Sequence, residues 1–372
     1  MFSALCGLCI ALFGLNISVY GAKHKLVVGT FSVDYLYTVE YDDETGSLTQ
    51  IAKSPSSAAS SWITLNHDKT KLYGTDWNAD TPTWVSYDVS DPTNIKVEAR
   101  IPAGKQCSGS KSIFALAAQK PPYSVYGNYY YGNAWCSTVL GVDEYGTLND
   151  VFQEYTYGPG SAVHGTAITP DGKYLLSADT KGNFIWTHSI DPNMGVLSNV
   201  NITAGPSEGS GPRHITVHPH GKYAYVVFEE SSQVGQYAVS ATGGLQLAGA
   251  TYPLLPEGYN AADYWADEVA LSKTNKYLWA TNRARNNNQK GYISAFEVKE
   301  SGEIARQMFI NVTSTSGGFA NAVAPSLFDD SVAALTDNST GFVEIWNVDR
   351  GVVAHLDIKD GQGCCANAVW LD

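Results

Sequence analysis

Ser61, Ser112, His164, Arg213, Asp267, Asn321 and Asn367 stand at one repeated position, each just before an apolar run. A second set, Asp76, Asn128, Asp179, Glu229, Arg283 and Asp337, closes the following run in six of the copies. These residue types have definite chemistry. A histidine with a pKa of about 6.5 can give or take a proton near neutrality. Arginine grips a carboxylate through a planar fork. Carboxylates, amides and hydroxyls orient such groups. The same side chains at the mouth of a water-filled channel would also bond one another and solvent, so polarity alone leaves both uses open.

The elements that position them recur. An apolar run, a polar turn and a second run appear as Gly165-Thr-Ala-Ile-Thr-Pro-Asp-Gly-Lys-Tyr-Leu-Leu176, His214-Ile-Thr-Val-His-Pro-His-Gly-Lys-Tyr-Ala-Tyr225 and Glu268-Val-Ala-Leu-Ser-Lys-Thr-Asn-Lys-Tyr-Leu-Trp279, among others. The second runs start at Leu72, Tyr123, Tyr174, Tyr223, Tyr277 and Val332, in steps of 51, 51, 49, 54 and 55 residues. A seventh copy is split: Lys25–Thr30 is a second run without a first, and Ala366–Trp370 is a first run without a second. An independent series of turns, from Asp43-Glu-Thr-Gly-Ser-Leu48 to Asp349-Arg-Gly-Val352, also counts seven. Val, Ile, Thr, Tyr and Trp in short runs between turns are strand content, and a period near fifty means an array or a propeller. Termini that complete one repeat close a circle and hide sheet edges. The sequence therefore predicts an all-β, seven-bladed β-propeller of four-stranded blades over residues 22–372.

Composition narrows the partners. Asp plus Glu number 36 against 23 Lys plus Arg, a net charge of −13. Such a surface repels nucleic acid and anionic lipid, so an anionic substrate would need a locally basic pocket. Met1–Gly21 carries no charged side chain, and its apolar run Ala4–Leu15 is short for a bilayer. It reads as a signal peptide, with no membrane attachment after cleavage and a secreted product. Cys107, Cys136, Cys364 and Cys365 then remain, an even number suited to oxidation. A Cys107–Cys136 bridge is one pairing; Cys364 and Cys365 would then be an adjacent pair or two thiols. Asn201, Asn311 and Asn338 begin glycosylation sequons.

Other motifs carry less. Gly205-Pro-Ser207-Glu-Gly209 fits a nucleophile-elbow pattern but runs into a strand where a helix is required. His218-Pro-His220 lacks a third ligand at useful spacing, so no metal is expected there. His67 and His188 read as surface or hairpin residues.

The chain resembles the fungal carboxymuconate-lactonizing branch of the seven-bladed propeller lactonase family. The likeness rests on Leu116-Ala-Ala-Gln-Lys-Pro-Pro-Tyr-Ser-Val-Tyr126, Ser177-Ala-Asp179, Gly211-Pro-Arg213, Pro253-Leu-Leu-Pro256, Thr315-Ser-Gly-Gly318 and Asn367-Ala-Val-Trp370. It implies that His164, Arg213, Glu229 and Arg283 are catalytic; the alignment of the repeats adds Ser61, Asp267 and Asn321 as substrate-binding positions. It also implies cofactor-independent closure of a muconate-type polycarboxylate to a lactone. In that reaction the arginines would hold carboxylates and His164 would be the general acid, with Glu229 second. The chain departs from the family at Gly318-Phe319-Ala320-Asn321, where the relatives carry Gly-Gly-His-Ser-Asn. Two other functions fit the scaffold: hydrolysis of a sugar-acid lactone by external water, and non-catalytic binding by a secreted propeller.

Overall fold

A computed structural model describes residues 21–132, 135–358 and 363–372. The expected signal segment therefore lies, but for Gly21, outside the described residues. Seven antiparallel sheets follow one another around an axis. Blades 1 to 6 span residues 63–102, 111–156, 163–204, 212–253, 264–312 and 323–357. Blade 7 combines Ala368–Trp370 with Lys23–Val28, Tyr35–Asp42 and Ser47–Pro55. Its inner strand pairs Leu26 with Trp370 and Val28 with Ala368, so the chain ends close the ring as the split repeat predicts.

Burial follows from this architecture. Second and third strands lie between neighbouring blades and are buried on both faces, as in Lys71–Asp76 and Phe342–Asn347. Fourth strands face solvent and alternate, as in Lys96–Pro102. Apolar clusters fill every blade-to-blade interface. Tyr225, Val227, Leu278 and Phe296 join blades 4 and 5; Val27, Leu36, Leu72 and Tyr87 join blades 7 and 1. Gly127 shows how tight the fit is: a β-carbon there would stand 2.3 Å from the Trp84 ring of blade 1. Blade 4 differs from the expected four strands. Its outer edge is split into Leu245–Leu247 and Tyr252–Pro253, both paired with Gln233–Val239. The break falls at Gly249, whose φ of +88° turns the chain out of register.

The inner strands fall into two kinds. Blades 1, 6 and 7 have three-residue inner strands, Ile63–Leu65, Val323–Pro325 and Ala368–Trp370. In blades 2 to 5 the inner strand has six to eight residues and a register break. The breaks lie between Ser112 and Phe114, Val163 and Thr166, Pro212 and His214, and Ala266 and Val269. A bulge of this kind bends a strand and re-aims its side chains. In blades 3, 4 and 5 the break brackets the repeated polar position; in blade 2 it brackets Ile113, one residue on.

Candidate active site

The bulges of blades 3, 4 and 5 aim His164, Arg213 and Asp267 into one cavity of about 470 Å³ at one mouth of the channel. Glu229 and Arg283, from the ends of second strands, enter the same space, and Ser61 and Asn367 also line it. Two other predicted ring residues, Ser112 and Asn321, do not reach the cavity, and Asn367 lines it with its amide already engaged. In blade 2 the bulge puts Ile113 on the wall, while Ser112 Oγ donates to the Asp76 and Thr83 carbonyls. Asn321 Nδ2 donates to the Asn282 carbonyl, and the wall of blade 6 is Ala320 and Ala322. Asn367 closes its amide onto the backbone N–H and C=O of Ile63. In the second set, Asp179 accepts from Ala162 N, Gly182 N and Trp186 Nε1, and Asn128 Nδ2 donates to the His164 carbonyl.

The charges are paired. Arg213 Nε lies 2.8 Å from Glu229 Oε2, an ion pair by distance without hydrogen-bond alignment. Its Nη1 contacts Asp267 Oδ1 and donates to the Asp267 carbonyl at 2.8 Å. Nη2 is therefore the atom through which Arg213 can reach a ligand. Burial opposes the Arg213 charge, but the Asp267 and Glu229 carboxylates outweigh it and hold the guanidinium ionised. Burial likewise opposes ionisation of Asp267, yet Arg213, Arg283 and the Asn321 N–H keep it below the usual carboxylate range. Arg283 is looser: Nη2 is 3.9 Å from Glu229 Oε1, and Nη1 donates to the Phe319 carbonyl. Its guanidinium lies 5.5 Å from the centre of the Trp265 ring. Two guanidinium groups thus face two carboxylates. This corrects the expectation of a locally basic pocket: the grip on an anion comes from directed donors, since these charges balance.

A second correction concerns His164. Burial first, then Arg213, His214 and Arg283, hold it well below the ordinary imidazole value of 6.5. It is a neutral ring at neutral pH, so its acidity does not come from a pKa near 6.5. Its Nδ1 lies 2.7 Å from His214 Nε2, leaving Nε2 for the cavity. His188 is also corrected: it is buried against Tyr155 and Tyr157, and burial lowers its pKa to about 4.

Much of the wall is aromatic. Phe319, Phe31, Trp77, Tyr131 and Tyr130 form an arc with successive ring centres 6.2, 5.9, 5.9 and 4.8 Å apart, ending 5.5 Å from His164. Phe319 is 70% exposed at the rim. Among the described residues no cluster of three or more His, Cys, Asp or Glu is placed to hold a metal ion.

Comparison with known proteins fits this geometry. The sequence model described as "Lactonase, 7-bladed beta-propeller" matches residues 25–350. The chain belongs to the seven-bladed propeller lactonase family. Within it, the chain is 34% identical over 369 residues to the carboxy-cis,cis-muconate cyclase of Neurospora crassa, covering 94% of this chain and 99% of that one. It is 27% identical to muconate cycloisomerase 1 of Cutaneotrichosporon cutaneum, covering 95% and 100%. The periplasmic gluconolactonase of Pseudomonas aeruginosa shares the fold at a TM-score of 0.76 and 19% identity, over 94% and 99% of the two chains.

Two pairs of cysteines are joined in this lactonase-family chain. Cys107, in the segment before blade 2, bonds Cys136 on the third strand of that blade, and Cys364 bonds its neighbour Cys365, which resolves the pairing that the sequence left open. The adjacent pair sits between Gly363 and Ala366, both on the cavity wall. Asn201 and Asn311 are exposed on fourth strands, whereas Asn338 lines the cavity with its Nδ2 buried. Ser207 is exposed in the loop between blades 3 and 4. Sequence reading missed the aromatic arc, His214 and Glu268. The last two stand directly after Arg213 and Asp267, where the register break turns consecutive residues to opposite sides of the strand. Gly165 was the available signal: a β-carbon there would lie 2.9 Å from the His214 ring.

Proposed function

We propose that this chain is a cofactor-independent intramolecular lyase that closes a muconate-type carboxylate to a lactone. The observation that carries the reading is the meeting of His164, Arg213, Glu229 and Arg283 in one cavity. A carboxylate oxygen of the folded substrate adds to a conjugated C=C. One C–O bond forms, the π pair moves toward the conjugated carboxylate, and a proton joins the α-carbon. Arg283 Nη2, the least tightly paired donor, and Arg213 Nη2 stabilise that developing charge. Glu229 fixes the Arg213 fork through their 2.8 Å contact. His164 Nε2 faces the carbon that is protonated. Holding the substrate's ends together supplies a further large part of the rate.

The balanced charge of the wall favours a second reading, hydrolysis of a neutral lactone by external water, as in relatives named for gluconolactones. Export belongs to either reading: the uncharged segment Met1–Gly21, the Cys107–Cys136 bond and exposed sequons at Asn201 and Asn311 support a secreted glycoprotein. Purified protein mixed with 3-carboxy-cis,cis-muconate should remove the diene absorbance. A flat trace alongside acid release from gluconolactones would replace the lyase with the hydrolase. Folded protein inactive in both assays would leave the non-catalytic binder.

A further inference from the structure

Behind His164 three buried side chains stand in line, each within 2.7 Å of the next. His164 Nδ1 and His214 Nε2 share a 2.7 Å hydrogen bond; His214 Nδ1 and Glu268 Oε2 approach to 2.7 Å by distance without hydrogen-bond alignment, and neither atom has another hydrogen-bond partner. The three residues are 4%, 1% and 8% exposed. His164 belongs to the main cavity; His214 and Glu268 line a separate cavity of about 450 Å³ and do not touch the first. The line is held from several sides. The rings of Trp62 and Phe114 stand edge-on to His214 at 4.7 and 5.3 Å. Glu268 Oε1 accepts from the Val269 N–H, and Gly165 leaves the space that the His214 ring occupies.

Adding a carboxylate across a C=C requires a proton at carbon, and a neutral imidazole alone is a very weak acid. Burial and Arg213 hold both histidines well below the usual imidazole range. Glu268 behaves oppositely: burial first, then Asp267, raises it well above the usual carboxyl value, so it retains a proton. The charged and titratable groups around it are Asp267 on its own strand, Arg213 and His214 on blade 4, and Arg283 and His164 beyond them.

We propose that Glu268 is the proton store for the reaction and acts on the substrate through His214 and His164. This rests on the lyase reading above. In the protonating step the His164 Nε2–H bond breaks as the substrate C–H bond forms. His164 Nδ1 takes the proton of His214 Nε2, and His214 Nδ1 takes the proton of Glu268 Oε2. Both rings stay neutral in exchanged tautomers. The negative charge that the attacking carboxylate loses on becoming an ester appears on Glu268. When product leaves, a solvent proton enters at His164 Nε2 and the three transfers reverse.

Glu268→Gln keeps the shape of the side chain and its place beside His214 but has no acid proton to yield. On 3-carboxy-cis,cis-muconate it should lower kcat about 10²–10⁴-fold, the usual range for losing a general acid, with KM changed less than about threefold. The basic limb of the kcat profile should disappear with it, and Glu268→Asp should restore part of the rate together with that limb. Wild-type kcat, or an unchanged basic limb, in a Glu268→Gln protein of wild-type Tm would overturn the relay. If the wild-type protein turns over no muconate, the lyase reading fails separately, and ¹⁵N NMR of the imidazoles tests the line by itself. Two neutral rings at pH 7 with a far-downfield shared proton that Glu268→Gln abolishes would uphold it. Two rings titrating independently near pH 6.5 would refute it.

Discussion

Blades 3, 4 and 5 and blades 6, 7 and 1 carry the same repeat and use its polar position in different ways. In the first group His164, Arg213 and Asp267 sit on long, bulged inner strands and face the cavity. In the second the inner strands have three residues; Asn321 and Asn367 turn their amides onto backbone groups of the neighbouring blade, and Ser61 Oγ pairs with Thr75 Oγ1. Blade 2 lies between the two groups: its bulge exists, but it presents Ile113 and leaves Ser112 as a clamp. The difference teaches that polarity near the axis serves closure by default. A backbone N–H or C=O at the start of an inner strand needs a partner, and a bulge frees the side chain for chemistry.

Removing Arg213 should break the comparison most severely. Arg213→Ala leaves the buried carboxylates of Glu229 and Asp267 without their close ion-pair partner, an expected loss of about 3–5 kcal/mol in denaturant melts. The surviving folded protein should lose about 10²–10³-fold in kcat/KM. Arg283→Ala should show a similar kinetic loss for less than about 2 kcal/mol of stability, because its carboxylate partner is 3.9 Å away. Equal stability costs for the two variants would contradict the assigned pairing.

Acid should separate the two groups next. His188 in blade 3 has its pKa lowered from 6.5 to about 4 by burial. Above pH 6.5 the ring is neutral folded or unfolded and contributes no slope. Below that value the unfolded chain binds a proton that the native state refuses, so stability falls as pH drops toward about 4. The full loss is about 3 kcal/mol at roughly 1.4 kcal/mol per unit. His355 in blade 6, opposed by burial but raised by Asp357 and Glu344, gives the opposite sign, with its stabilisation present below 6.5. Urea midpoints of His188→Phe against wild type between pH 7 and 4 measure the contrast; parallel curves would remove His188 from it.

The closure residues should show the reverse of the Arg283 result. Ser112→Ala removes a buried donor to the Asp76 and Thr83 carbonyls and should cost about 1–3 kcal/mol, with kcat/KM of the folded fraction unchanged. A kinetic defect there would erase the division between clamp and site. The smallest effect on stability belongs to Phe319→Ala. The ring is 70% exposed, so Tm should move by the equivalent of less than about 0.5 kcal/mol while KM shifts. An unchanged KM would take the aromatic rim out of substrate binding.

Much of the fold was legible because closure leaves a linear trace. A strand that must be buried on both faces reads as an apolar run, and Ala366–Trp370 needs Lys25–Thr30 as its continuation. The candidate site was legible as a set of positions, for the repeat aligns His164, Arg213 and Asp267 without any structure. Their partners were not. The Arg213–Asp267 contact and the line from His164 to Glu268 cross between blades about fifty residues apart, the Arg213–Glu229 contact lies within blade 4, and no local periodicity records which oxygen meets which nitrogen.

The sequence by itself determined the number of blades, the ring closure and which residues stand near the axis, because short-range strand patterning and a fifty-residue period specify those. Only the tertiary structure decided the charge of the pocket and the protonation of its histidines. Both depend on burial and on carboxylates brought in from neighbouring blades, and neither quantity exists until the ring is closed.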